Sequence, residues 1–248
     1  MSRRPPLQAS GVLGYSQGGK AAVVSPGAGK QIKIYSAVAQ NRSGGASDLG
    51  MCVKLDSASY AFGTITAAST PDFLAANEIK EGTAVTIFTT VDNGGFLVQA
   101  DRPFNVIGLT LSDACTAGTF EYTYYNGTAY VTLTTIAVPT YTATGDKLIV
   151  FGAPQDWIIG TTSGVGGSSS LYSIRVRATT APSDLAQANA LWVAQLFAYR
   201  AQVANNGAIS LSFSELNPFT LEANEGLMPY FGVASTANTA ESFYAIAD

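Results

Sequence analysis

The stretch TFEYTYYNGTAYVTLTT, residues 119–135, carries two runs rich in aromatic and β-branched residues, parted by Asn126-Gly127. Aromatic and β-branched side chains fit the pleated, half-buried surface of a sheet, and Asn-Gly between such runs marks a hairpin. The spacing predicts strands over Thr119–Tyr125 and Ala129–Thr134, joined by a type I′ turn at Asn126-Gly127.

The same pattern recurs outward in both directions. Towards the N-terminus, short alternating runs fall at Gln31–Ala39, Met51–Leu55, Tyr60–Thr66, Ala84–Thr90, Gly95–Ala100 and Asn105–Leu111. Towards the C-terminus they fall at Lys147–Phe151, Leu171–Thr179, Ala208–Phe213, Phe219–Glu222 and Leu227–Val233. Turn-forming clusters separate them, among them Asp92-Asn93-Gly94-Gly95, Thr144-Gly145-Asp146 and Asn205-Asn206-Gly207. So many short strands predict an all-β fold of antiparallel sandwich or jelly-roll-like modules. One segment is ambiguous. Leu185, Ala188, Trp192, Tyr199 and Val203 fit one face of a helix opening at Ser183, whereas Trp192, Ala194, Leu196 and Ala198 alternate as in a strand. The β surroundings favour a short helix or loop followed by a strand from about Leu191.

The chain has 248 residues, 47% hydrophobic and only 12% charged, against about 25% charged in an average domain. A surface poor in charge suits contact with neighbouring subunits. The net charge is −4 and the basic residues are scattered, so nothing marks a nucleic-acid footprint. No apolar run reaches the roughly 18 residues of a membrane span, and no apolar region of a secretory signal follows the first residues. Arg3-Arg4-Pro5-Pro6 form a short basic tip. Residues 1–24 then read as an extended arm, either a frayed terminus or a docking element. Cys52 and Cys115 have no metal-ligand spacing; buried free thiols suit them, and a disulfide stays open. Asn41-Arg42-Ser43 and Asn126-Gly127-Thr128 match the glycosylation sequon and read as turns.

Two catalytic patterns overlap near the start. Gly14-Tyr15-Ser16-Gln17-Gly18 satisfies the nucleophile elbow G-x-S-x-G, and Gly14 to Lys20 nearly completes a phosphate loop. The elbow needs a preceding strand, a following helix and a base. Pro5-Pro6 and Gly18-Gly19 argue against the first two, and the chain contains no histidine to complete a Ser-His-Asp triad. The phosphate loop lacks its hydroxyl, because Ala21 follows Lys20. Both read as a glycine-rich loop, so no catalytic, cofactor or metal residue is expected. Tyr124, Tyr130 and Trp157 lie in a dense aromatic stretch, which reads as a sugar-stacking platform or as cross-strand core pairs.

Residues 119–182 resemble a β module of tailed-bacteriophage virion structural proteins. The carrying positions are Tyr122 to Tyr125, Asn126-Gly127, Tyr130, Leu148 to Phe151, Pro154 with Asp156-Trp157, and Tyr172 to Arg177. The gap 164–170, all Gly, Val and Ser, departs from that pattern. Residues 207–236 resemble, more weakly, the closing strands of auxiliary head proteins. The resemblance implies a non-enzymatic virion protein, in the first place a capsid decoration (cement) protein on the outer head. It would bind the major capsid protein and copies of itself as a trimer, with Arg3, Arg4, Pro5 and Pro6 as assembly contacts. A tail, baseplate or fibre component is the alternative, and an adhesin for host surface glycans the alternative of another class. The expected organisation is an arm (1–24), a sandwich region (25–115), the phage-type module (116–182) and closing strands (183–248).

Overall fold

The computed structural model describes residues 7–12, 24–66, 72–73, 79, 82–161, 167–214, 216–232 and 238–247, of which 7–12 and 239–247 are described by backbone alone. The described residues form an all-β protein in which every assigned strand pairing is antiparallel. The chain divides into two compact units, Met1–Asp56 with Ala194–Asp248, and Ser57–Val193. These cuts lie away from 115/116 and 182/183, where the sequence suggested boundaries. Strand β1 (Leu7–Val12) occupies part of the segment expected to be an arm and pairs with β17 (Thr239–Ala247).

In the first unit, β2 (Gln31–Gln40) is the central strand of one layer. It pairs with β17 on one side, and with β14 (Ala208–Ser212) and β15 (Phe219–Leu221) on the other. Its inward residues are Ile32 and Ile34, then Ala37 and Ala39. The parity switches at Tyr35-Ser36, where the register with β17 also shifts. A bulge there keeps both halves of the strand facing the core. The second layer is β3 (Ser47–Lys54), between β16 (Gly226–Phe231) and the second half of β13 (Ala186–Val203). Leu49, Met51, Val53, Leu221, Leu227 and Phe231 fill the space between the layers, as expected of a sandwich. Each such fully buried side chain contributes about 1.5–3 kcal/mol.

At 183–206 the ambiguity resolves as a loop followed by a strand, β13, which starts at Ala186 instead of about Leu191 and leaves no helix there. The strand has 18 residues, and its register shifts between Leu196 and Ala198 and again between Arg200 and Val203. Each extra residue turns the following side chains over, so an interrupted period of two imitates a period near 3.6. Gln202, at φ 51°, sits in the second irregularity, and its backbone N–H donates to Asp48 Oδ1 at 2.9 Å.

In the second unit, one sheet runs β4 (Tyr60–Ile65), β6 (Gly95–Ala100), β12 (Tyr172–Thr180), β8 (Thr119–Tyr125), β9 (Tyr130–Thr132). The other strands are β5 (Val85–Phe88), β7 (Val106–Asp113), β10 (Thr135–Ala137) and β11 (Gly145–Phe151). β11 pairs with β10 and β7, and β5 with the first half of β13. β7 is buried from Val106 to Leu109, the near-continuous apolar run of a strand covered on both faces. Gly108 within it leaves room for Trp192, whose Cε2 lies 2.0 Å from where a Cβ would stand. The core is aromatic: Phe88 meets Phe96, Phe120 and Tyr141 at ring separations of 5.7, 4.5 and 4.9 Å.

Candidate functional site: the aromatic module and its polar face

The β8–β9 hairpin closes differently from the expected type I′ turn. Tyr125 pairs with Tyr130, so the loop is 126–129, and of its residues only Gly127 has a positive φ (+97°). Asn126 Oδ1 accepts from Thr128 N, Thr128 Oγ1 and Ala129 N at 3.1, 3.0 and 3.0 Å. The Asn side chain thus organises a four-residue loop, where a type I′ turn would use Asn-Gly as its two central residues. Ile158 N donates to Tyr125 O at 3.2 Å, which lays the 154–160 corner over the hairpin.

That corner delivers Trp157 inward. Its ring is 7% exposed and meets Phe104, Phe151 and Tyr172 edge-on at 5.0, 6.1 and 5.4 Å. Its Nε1 is buried without an acceptor. Beside it, Tyr124 is 9% exposed and donates its hydroxyl to Asp156 Oδ1 at 2.7 Å. That bond, together with burial, raises the phenol pKa, because ionisation would set two negative charges against each other.

The register across β6, β12 and β8 separates two faces. Val98, Ile174 and Tyr124 align on one, as do Phe96, Val176 and Tyr122. Gln99 with Ser173, and Leu97 with Arg175 and Thr123, align on the other, followed by Gly95, Arg177 and Glu121. Arg177 Nε donates to Glu121 Oε1, and Arg175 Nη2 reaches the same oxygen at 3.4 Å. The Arg175 guanidinium also lies 4.6 Å from the centre of the Tyr130 ring, a cation–π contact. Burial, with the Arg177 charge beside it, lowers the Arg175 pKa, while Glu121 and Tyr130 act in the opposite sense. Further along, Gln99 Nε2 donates to Ser173 Oγ (2.7 Å) and Ser168 O (3.0 Å), and its Oε1 accepts from Ser168 N (2.8 Å). Ser173 Oγ donates to Gly160 O at 2.7 Å. These bonds tie two points of the β11–β12 connection, Gly160 and Ser168, to the sheet.

The residues suggested as stacking groups therefore do not share one open surface. Trp157 and Tyr124 are inside. Tyr130 is half-buried, between Tyr125 at a ring separation of 5.7 Å and Arg175. This is the cross-strand and core arrangement, and sugar stacking would need an exposed ring face. Arg3, Arg4, Pro5, Pro6, Ser16 and Lys20 lie outside the described residues. Cys52 and Cys115 are both buried and free, and burial pushes the Cys52 thiol up to about 12. No group of three or more Cys, Asp or Glu suited to a metal ion occurs among the described residues.

Asn41, read from sequence as a turn residue, has a larger role. It is fully buried. Its Nδ2 donates to Gly45 O (2.7 Å) and Val203 O (2.8 Å), and its Oδ1 accepts from Ser43 N (3.0 Å) and Ser43 Oγ (2.7 Å). Compared with known proteins, the chain matches no family model, no curated protein and no solved structure.

Proposed function

We propose that this chain is a non-enzymatic structural protein of tailed-phage virions, acting as a decoration protein on the outer head. The supporting observation is the use to which the module's signature residues are put. Trp157 fills a core, Tyr124 and Asp156 hold each other, and Arg175 and Arg177 converge on Glu121. A module whose aromatic and charged residues bind one another serves as a rigid scaffold that presents its edges and loops. The function would be interfacial: surface buried against capsid subunits, roughly 1,000 Å² or more per contact and repeated by symmetry, clamps their junctions. With so few charges, little desolvation of ions opposes such contacts.

The test is to purify particles carrying this protein, count its copies by quantitative mass spectrometry and locate it by electron microscopy. Copies in fixed ratio to capsid subunits, with density on the outer head, are expected. Tens of copies confined to the tail would replace decoration with the tail or baseplate reading. Absence from particles would overturn the proposal.

A further inference from the structure

The edges of the sheets are treated unequally. β16 carries Pro229 at mid-strand, β9 and β15 have three residues each, and β10 is equally short with a register shift. β4 is continued by a bridge from Thr64 to Asp72. Proline, shortness and irregularity are the usual protections of an unpaired edge. β14 has none of them; the opposite edge of its sheet, β1, also lacks them but is described by backbone alone. It runs in unbroken register along β2, and from Ala201 to Ser214 the chain has no charged residue.

The hydrogen-bond pattern shows which way its backbone points. Asn41 N donates to Gly207 O and Phe213 N donates to Tyr35 O, both on the β14–β2 register. Odd-numbered residues thus bond to β2. In an antiparallel ladder the alternate residues turn their N–H and C=O groups the other way, so those of Ala208, Ser210 and Ser212 face outward. Among the described residues β14 pairs with β2 alone. Ser210 and Ser212 have exposed side chains, while Ile209 and Leu211 pack on the core below. Leu216, just beyond the strand, is 98% exposed.

We infer that β14 is a two-fold self-association edge that pairs antiparallel with β14 of a second copy. Full overlap centres the axis on Ser210 and sets Ala208 opposite Ser212 and Ile209 opposite Leu211. Each outward N–H then finds a carbonyl, the small hydroxyl side chains meet without crowding, and the apolar layer continues beneath. The charge pattern selects a second copy as the occupant. Across a two-fold axis at Ser210, any net charge on the edge would face an equal charge on its copy and oppose pairing; this edge carries none, so a second copy meets no repulsion there in a chain of net charge −4. Such a contact is isologous and gives a dimer or a multiple of one, whereas the phage resemblance suggested a trimer.

The inference deepens the assembly reading and rests on it only in expecting copies to meet. It is tested on the purified full chain by light scattering across a concentration series, so loss of capsid binding and loss of self-association are read separately. Wild type is expected to show a two-fold multiple of the chain mass. Ser210→Pro removes one outward N–H and leaves the β2 ladder intact, and Ser210→Lys puts like charges across the axis. Both should weaken association about tenfold or more, with the far-ultraviolet circular dichroism of wild type. A wild-type chain monomeric into the hundreds of micromolar would overturn the inference, as would a folded Ser210→Lys variant that associates as wild type does.

Discussion

Asn41→Ala would remove four side-chain hydrogen bonds made by a buried residue at the end of β2. Gly45 and Ser43 lie near the surface, where water can take over their bonds, so each loss there costs about 1 kcal/mol or less. The bond to Val203 O is buried, and an orphaned carbonyl there costs about 1–3 kcal/mol. The sum is about 2–4 kcal/mol. With a urea dependence of about 2 kcal/mol per molar, inside the usual range of about 1–3, the midpoint should fall by about 1–2 M. Both tryptophans, Trp157 and Trp192, belong to the other unit, so hydrogen exchange in peptides from β2, β3 and β14 is the appropriate readout. Asn41→Asp sharpens the test. It keeps the acceptor oxygen and sets a second oxygen against two carbonyls 2.7 and 2.8 Å away. Its folded-state pKa must then exceed the unfolded value of about 3.9. An acid with a raised folded pKa loses stability as pH rises above its unfolded pKa, so the deficit relative to wild type should be larger at pH 7 than at pH 4. An Asn41→Ala protein within about 0.5 kcal/mol of wild type, or an Asn41→Asp deficit independent of pH, would refute this account.

Gly108→Ala forces a methyl group into the indole of Trp192. It should destabilise the second unit by about 1–3 kcal/mol or more and shift the tryptophan emission, measured by urea titration. The Cys52 thiol, pushed up to about 12 by burial, should resist alkylation at pH 8 in the native protein and react once urea unfolds it, as mass spectrometry of labelled peptides will show.

Much of the β architecture could be read directly. Gly95–Ala100 and Thr119–Tyr125 are strands with the expected bounds, because turn residues bracket them and their compositions admit little else. Ile174 and Val176 face one side of β12, and Arg175 and Arg177 the other, as strict alternation requires. What escaped is non-local or irregular. Glu121 is the partner of both arginines only because of the β8–β12 register, and register is a property of two strands. Asn41 resembled any turn residue, since its decisive acceptor, Val203, is remote in sequence. The bulges of β13 interrupt its period, which hides its first residues, 186–190, while the alanine-rich β17 alternates too weakly to announce itself as a strand.

The nesting of the units also sets an order of events during synthesis. β2 and β3 leave the ribosome early, but their partners, the second half of β13 and β14 through β17, follow only after all of Ser57–Val193. At about 5–20 residues per second, the early strands wait on the order of ten seconds with Ile32, Ile34, Leu49 and Met51 unshielded. The inserted unit contains its own sheet partners and can fold during that interval. A nascent chain of this protein therefore passes through a stage with a finished inner unit and a sticky, unpaired N-terminal segment. At that stage chaperones have most to bind and aggregation competes most strongly with folding.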